Sequence, residues 1–132
     1  MSERQTKLNE LLVDEEELNE ELLYEVLSDL VQIGKNSGRL VPKAPFRDLN
    51  SRRKVVVVLL AQKAKKALDL AESEWMTPSE ISEISGIKKN TVYPAVRHLE
   101  DDAGLAESED GSYHIPSRNL NRARDYIRRD AQ

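Results

Sequence analysis

The clearest signals of the fold lie in the stretch TPSEISEISGIKKNTVYPAVRHLEDDAGL, residues 77–105. Its first four residues, TPSE at 77–80, have the pattern of a capping box with proline at the first helical position, which marks a helix start. Gly86 is expected to end this short helix, because glycine readily adopts the left-handed conformation of a helix end. The spacing of the next apolar residues predicts a second helix over 87–102, followed by Gly104. We expect the two helices to share a small core formed by Ile81, Ile84, Val92, Val96 and Leu99.

The residues before this stretch predict a third helix and a short extended piece. Residues 52–71 keep a helical apolar spacing for longer than a strand would, and Ser51 can cap their first turn. The run VVVVLL at 55–60 is apolar on every side, so this helix is expected to be central and covered on both faces. Trp75-Met76 is predicted as the extended piece.

The residues after the stretch predict a hairpin and a last helix. Residues 105–115 are expected to fold back across Asp110-Gly111, a dipeptide that favours a tight two-residue turn. Ser117, which follows Pro116, is expected to cap the last helix. Its apolar positions are Leu120, Ala123, Tyr126 and Ile127. The complete order of elements is that of a winged helix-turn-helix, so the predicted fold class is mainly α with a small β-hairpin.

Residues 52–116 resemble the winged-helix transcriptional regulators. The apolar spacing of 77–105 is similar to that of the MarR and ArsR types, and TVYPAVRHLE at 91–100 followed by Gly104-Leu105 is similar to the PadR type. The resemblance implies a homodimer that binds double-stranded DNA sequence-specifically. Two recognition helices would then lie in the major groove at half-sites about one DNA turn apart.

The helix at about 88–102 is the predicted recognition helix. With Val92 facing the core, a step of about 100° per residue places Asn90, Pro94 and Arg97 on the opposite side. Asn pairs well with adenine and Arg with guanine, so Asn90 and Arg97 are predicted to read bases. Solvent exposure alone would also explain these polar side chains. Contacts to the DNA backbone are predicted for Lys88, Lys89, Thr91, Tyr93, Arg52, Arg53 and Lys54.

Three features depart from the pattern of these regulators. Lys88 stands where a Ser or Asn usually caps the recognition helix, so the helix start is predicted to be poorly capped. Pro94 removes a backbone hydrogen bond inside the helix and is expected to kink it. The wing tip, ESED at 107–110, carries three carboxylates that repel phosphate. Either the wing stays off the DNA or the domain binds protein.

Charge is unevenly distributed along the 132-residue chain, whose net charge is −4. Residues 1–33 carry two basic and ten acidic residues, whereas residues 34–66 carry ten basic residues and one acidic residue. The two segments can neutralise each other by packing, or the basic one can face an anionic partner such as nucleic acid. A third hypothesis is that residues 1–33 cover the basic segment until a partner removes them.

Helical extensions are predicted at both ends of the winged-helix domain at 51–116. Leucine spacing predicts helix over 8–33, either continuous or broken near Asp14, which could cap a fresh start. Residues 37–51 read as a connecting loop that completes an N-terminal extension, 1–50. The N-terminal helices and the basic C-terminal helix, 117–132, are expected to form the dimer core. The alternative function is a protein–protein interaction module, which the acidic wing and acidic N-terminal helices would suit.

Catalysis and membrane insertion are not expected. The absence of cysteine excludes disulfides, thiolate zinc sites and a cysteine nucleophile. His98 and His114 lack metal-ligand spacing, and the five glycines form no phosphate-binding loop, so we expect no enzyme, metal or cofactor. The N-terminus does not resemble a signal peptide, and the longest apolar run, 55–61, is too short for a membrane span. We expect a cytoplasmic protein associated with the nucleoid.

Overall fold

The chain forms a helical body with two small β-hairpins. A computed structural model describes residues 7–129. Its helices and strands are α1 (Glu15–Leu27), β1 (Val31–Ile33), β2 (Leu40–Pro42), α2 (Ala44–Arg47), α3 (Ser51–Ala67), α4 (Pro78–Ser85), α5 (Lys89–Asp101), β3 (Glu107–Glu109), β4 (Ser112–His114), a 3-10 turn (Ser117–Asn119) and α6 (Leu120–Arg128). The predicted class, a mainly helical winged helix-turn-helix, is confirmed.

Helix α3 is the centre of the body. Every residue from Val55 to Ala61 is at most 1% exposed, and α1, α4, α5 and α6 all pack against the helix. This confirms the expected central helix, which the all-apolar run requires. Its bounds differ from the prediction: the N-cap is Asn50, whose Oδ1 accepts a hydrogen bond from Arg53 N at 3.0 Å, and the helix ends at Ala67 rather than at residue 71.

The helix-turn-helix is formed by α4 and α5 and follows the local signals in the sequence. Thr77 and Glu80 form the predicted capping box, each side chain accepting a hydrogen bond from the other residue's backbone N–H. Gly86 ends α4 with φ +76°, a left-handed conformation that favours glycine. One core position was predicted wrongly, since Ile84 is 40% exposed. Three residues rotate a helix by about 300°, so the Ile84 side chain lies about 60° around the helix axis from the buried Ile81 side chain.

The wing is the predicted hairpin. Strands β3 and β4 pair antiparallel, and the two turn residues have φ values of +52° at Asp110 and +82° at Gly111. A two-residue turn needs this left-handed backbone to match the twist of the strands. Met76 pairs with Tyr113 through two backbone hydrogen bonds of 2.9 and 2.7 Å, so the extended piece before α4 adds to the wing as predicted.

The N-terminal third corrects the sequence prediction. A break at residue 14 is confirmed, because Asp14 Oδ1 accepts hydrogen bonds from two amides of the first turn of α1. Helix over the whole of 8–33 is wrong: residues 31–33 form β1, which pairs with β2. The loop predicted at 37–51 is also wrong, since it contains β2, α2 and the first residue of α3. The apolar residues from Leu30 to Ile33 continue the helical spacing, but strand pairing and burial of Val31 decide their conformation.

The C-terminal helix α6 packs on its own chain. Leu120, Ala123 and Ile127 are buried, and α6 contacts both α1 and α3. The side chain of Ser117 does not cap the helix, because a 3-10 turn that follows Pro116 leads into α6 instead. Residues 130–132 of the predicted C-terminal extension lie outside the described residues.

Candidate nucleic-acid interface

An open cleft lies between the outer face of α5 and the start of α3. The cleft has a volume of about 520 Å³ and is lined by Arg52, Asn90, Tyr93, Pro94, Arg97, His98, Asp101 and Asp102. Four of the predicted site residues therefore come together: the two assigned to bases and two assigned to the backbone. Arg52 reaches this cleft although it is 38 residues before Asn90 in the chain.

The polar side chains on this face that are predicted to contact DNA have no partners among the described residues. Asn90 and Arg97 are exposed, and neither makes a side-chain hydrogen bond or ion pair within residues 7–129. Lys88, Lys89 and Thr91 are likewise exposed at the helix start, and Tyr93 is 44% exposed. A face of unpaired donors and cations can bind an external ligand without first breaking contacts inside the protein.

The start of α5 is open, as the sequence predicts. Lys88 is the N-cap residue and makes no side-chain capping hydrogen bond. The first backbone N–H groups of a helix project beyond its N-terminus and carry partial positive charge. An uncapped helix start therefore favours a nearby anion. Two lysines, Lys88 and Lys89, add full positive charges at the same place.

Pro94 lies within α5 without ending it. The helix runs from Lys89 to Asp101 through the proline, and Pro94 is exposed to solvent. Because proline has no backbone N–H, the carbonyl of Asn90 lacks its usual helical partner. Both residues belong to the cleft, so this carbonyl lies on the side of α5 that faces solvent.

The far end of the cleft is acidic. Asp101 and Asp102 line it, and His98 Nδ1 lies 3.0 Å from Asp102 Oδ2. The cationic groups Arg52 and Arg97 therefore share the cleft with two carboxylates. An anion would be held near the start and middle of α5, away from this end.

Two of the predicted backbone contacts have other roles in the structure. Arg53 is 9% exposed, its Nε donates a hydrogen bond of 2.9 Å to the Tyr126 carbonyl, and its guanidinium lies 5.2 Å from the Tyr126 ring centroid. Arg53 thus joins α3 to α6 and cannot reach a ligand, which corrects its assignment. Lys54 is half-buried, with Nζ 5.9 Å from the centroid of the Phe46 ring. Sequence reasoning could not find the Tyr126 contact, because its two residues are 73 positions apart.

The acidic side chains of the wing are partly bound to the protein itself. Glu107 accepts a hydrogen bond from Arg118, and this hydrogen bond holds the pKa of Glu107 below its ordinary value. Glu100 of α5 accepts hydrogen bonds from Ser108 N at 3.1 Å and Ser108 Oγ at 2.6 Å. Glu109 and Asp110 at the tip are exposed. The wing is therefore fixed to α5 and to the 3-10 turn before α6, while its tip keeps a negative charge.

The base of the wing contains a cluster that the sequence did not reveal. Glu74 Oε2 accepts hydrogen bonds from Lys63 Nζ at 2.7 Å and from His114 Nδ1 at 2.9 Å, and Trp75 stacks on the His114 ring with centroids 3.7 Å apart. Burial raises the pKa of Glu74, but the hydrogen bonds from Lys63 and His114 outweigh burial and the pKa is lowered overall. This cluster joins α3 to the wing.

The arginines of α6 also serve the fold. Arg122 donates hydrogen bonds of 2.8 Å to the Ala103 carbonyl and 3.1 Å to the Gly104 carbonyl, just after α5 ends. Arg124 and Arg128 lie 3.7 and 3.4 Å from the carboxylate of Glu25 in α1. The arginines of the predicted basic C-terminal helix are therefore largely used in contacts within one chain.

A comparison with protein families found a match for part of the chain. The family model described as the sugar-specific transcriptional regulator TrmB matches residues 59–118. The winged helix-turn-helix of this chain is therefore similar in sequence to a family of transcriptional regulators. The match indicates a DNA-binding regulator and does not confirm the expected likeness to the MarR, ArsR or PadR types. Comparison with curated proteins and with solved structures produced no match.

The matched region covers the helix-turn-helix and the wing but not the whole chain. It begins within α3 and ends in the 3-10 turn before α6, so α1, the first hairpin and the start of α3 lie outside it. The matched family is one of regulators rather than enzymes, in agreement with the prediction that the protein is not an enzyme. Across the described part of the chain, no helix has the length and apolar character needed to cross a membrane.

Proposed function

We propose that this protein binds specific double-stranded DNA sequences as a homodimeric transcriptional regulator, with α5 in the major groove. The observation that carries the proposal is the cleft in which Arg52, Asn90, Tyr93 and Arg97 meet without partners in the described chain. Asn90 and Arg97 are the base-reading residues, since an Asn amide can pair with adenine through one donor and one acceptor, and an Arg guanidinium can pair with guanine through two donors.

Contacts to the phosphates come from the rim of the same face. Lys88, Lys89 and Thr91 lie at the open start of α5, where uncapped amides favour an anion. Tyr93 and Arg52 lie at the sides of the cleft, so the backbone of the duplex can be held beside the bases that Asn90 and Arg97 read. Arg53 has no part in this surface, because it is bound to Tyr126.

The wing does not contact DNA in this proposal. Its exposed tip residues, Glu109 and Asp110, carry negative charge, and phosphate repels them. The acidic C-terminal end of α5, at Asp101 and Asp102, likewise lies outside the major groove in this proposal. Affinity then depends on α5 and on Arg52 alone, and a second protomer on an adjacent half-site about one DNA turn away doubles that contact. A protein with this function works in the compartment that holds the chromosome.

Two substitutions on α5 test the proposal. Arg97→Ala should weaken binding to the preferred sequence by about 1–3 kcal/mol and relax discrimination at one base position. Lys89→Ala should weaken all sequences equally and lower the slope of log affinity against log salt by about 1. The measurement is a titration of labelled duplexes, selected from a random pool, at several salt concentrations. An equal loss on every sequence from Arg97→Ala would contradict its role in reading bases.

The acidic wing favours a second candidate function, a protein-binding module. Glu109 and Asp110 form an exposed acidic tip that suits a basic protein partner better than it suits DNA. The two functions differ in where binding is lost: a protein-binding wing predicts that Glu109→Lys abolishes partner binding, whereas the DNA proposal predicts that Arg97→Ala relaxes discrimination at one base position. Salt-independent or absent binding to any duplex would favour the protein-binding module.

A further inference from the structure

The N-terminal residues expose more apolar surface than any other part of the described chain. Leu8, Leu11, Leu12, Val13 and Leu18 are 57, 75, 76, 64 and 53% exposed. We call residues 7–18 the leucine segment. Single exposed apolar residues are common on protein surfaces, but five within eleven positions mark a surface that a partner covers.

An apolar groove lies between α1, β1 and the end of α3. It has a volume of about 450 Å³, and its walls are formed by Leu23, Leu27, Val31, Ala64, Ala67 and Leu68. Two of the residues that line the groove are exposed to solvent: the exposed fraction is 75% for Tyr24 and 61% for Leu68. Leucine side chains have the size and the chemistry to fill such a groove.

The strand side of the groove is opposite in charge to the leucine segment, whereas Glu20 of α1 adds one carboxylate to the groove lining. The leucine segment contains one basic residue, Lys7, and five acidic residues, so its net charge is −4. Residues 30–47, which include the strand along one side of the groove, contain four basic residues and no acidic residue. One of these, Lys43, lies in the groove wall itself. Opposite charges at the rim favour and orient an apolar contact.

We propose that the leucine segment of one copy fills the apolar groove of a second copy, and that the exchange is reciprocal. Most of the segment precedes α1, which the Asp14 carboxylate caps, and the groove begins along α1 at Glu20. Asp14 and Glu20 are separated by about 9 Å of helix, at 1.5 Å per residue, and no residue of the segment lines the groove of its own chain. A two-fold pair, in which each copy gives its segment and receives the other's, satisfies both surfaces.

This arrangement deepens the homodimer of the proposed function by naming the surfaces that meet. It places the contact on α1 and the end of α3, while the DNA-binding cleft lies at the start of α3 and on α5. Association is tested without DNA, so a failure of this arrangement and a failure of the DNA proposal are distinguishable.

The absence of cysteine makes cross-linking a direct test. Leu12→Cys and Leu68→Cys are made on separate full-length chains that carry tags of different size, and the chains are mixed and oxidised. We expect a disulfide between the two chains at the mass of the mixed dimer. A control pair, Leu12→Cys with Glu109→Cys on the wing, should cross-link at least tenfold less.

Two cross-linking results would overturn the proposal. One is equal cross-linking in the test and control pairs. The other comes from a chain that carries Leu12→Cys and Leu68→Cys together: a disulfide formed within single chains would show that the segment occupies its own groove.

Light scattering gives an independent readout. The wild-type chain should have the mass of a dimer, and the double variant Leu11→Glu, Leu12→Glu should have the mass of a monomer. A matched control, Ser79→Glu with Asn121→Glu, adds the same charge at exposed positions elsewhere and should stay dimeric. Circular dichroism confirms that each variant is folded. A persistent dimer in the leucine variant would disprove this mode of association, and a monomeric wild type would disprove the dimer altogether.

Discussion

The outer face of α5 and the wing lie next to each other and use their polar residues in opposite ways. On α5, Asn90 and Arg97 are exposed without partners in the described chain. In the wing, Glu107 is paired with Arg118, and Ser108 is bonded to Glu100. Polarity alone therefore does not mark a binding surface. Side chains already paired within the protein maintain its shape, whereas unpaired ones can bind a ligand.

The strongest test of this comparison uses the two faces of α5. Leu99, which is fully buried, and Arg97, which is exposed, are two residues apart. Leu99→Ala should lower the free energy of unfolding by about 2–5 kcal/mol, because it leaves a cavity in the core. Arg97→Ala should change it by less than about 0.5 kcal/mol. Urea denaturation followed by Trp75 fluorescence measures both, and equal losses would show that Arg97 is part of the fold.

The base of the wing should show a smaller stability effect and no effect on DNA binding. Glu74 bonds to Lys63 and His114 and is only partly exposed. Glu74→Gln should lower the free energy of unfolding by about 1–3 kcal/mol, since it leaves two partly buried donors with a weaker partner. Glu109→Gln at the exposed tip is the matched control and should have almost no effect. A loss of DNA affinity without a loss of stability in Glu74→Gln would contradict its structural role.

The effect of Glu74 should also depend on pH. Its pKa is lower in the folded protein than its ordinary value, because the hydrogen bonds from Lys63 and His114 outweigh burial. A carboxylate of this kind stabilises the fold fully above its unfolded pKa, about 4.3, and loses that contribution as pH falls through the folded pKa. The stability difference between wild type and Glu74→Gln should therefore be full at neutral pH and shrink in acid. A difference that grows on acidification would contradict this account.

Arg52 should matter for DNA and not for the fold. It is exposed and lines the cleft, whereas its neighbour Arg53 is buried against Tyr126. Arg52→Ala should lower affinity for every duplex and reduce the salt slope by about 1, with unchanged stability. Arg53→Ala should instead destabilise the protein by about 1–3 kcal/mol. If Arg52→Ala left the salt slope unchanged, Arg52 would not contact phosphate.

The smallest effect is expected at the wing tip. Glu109→Lys changes the charge by two units at an exposed position. Because the wing stays off the DNA in this account, affinity should change by less than about twofold and the salt slope should stay the same. Gel shifts at two salt concentrations measure both quantities. A large gain in affinity with a slope steeper by about 1 would show that the wing reaches a phosphate.

The elements that the sequence predicted best are those with local signals. The Thr77 capping box, the Gly86 turn and the Asp110-Gly111 hairpin each depend on residues within four positions of one another, and each is present in the structure. Their backbone conformations follow from hydrogen bonds and steric limits that a short stretch already contains. The helix-turn-helix and the cleft residues of α5 could therefore be placed from sequence.

The elements that the sequence did not predict depend on distant contacts. The apolar run from Leu30 to Ile33 continues the spacing of α1, and only pairing with residues 40–42 makes its end a strand. Arg53 looks like its neighbours Arg52 and Lys54, yet its contact with Tyr126 removes it from the surface. Neither outcome could be deduced locally, because the deciding partner is up to 73 residues away.

The cleft is tested most directly as a DNA-binding site by titrating a labelled duplex of the preferred sequence with the wild-type chain and with a chain that carries Arg97→Ala and Arg52→Ala together. The experiment uses about 50 and about 200 mM salt, a range over which phosphate contacts strongly lower affinity. We expect the wild-type chain to bind tightly at low salt and weakly at high salt. The double variant should bind weakly at both salt concentrations while remaining folded. Equal binding by the two proteins at both salt concentrations would show that the cleft of α5 and Arg52 is not where this protein meets DNA.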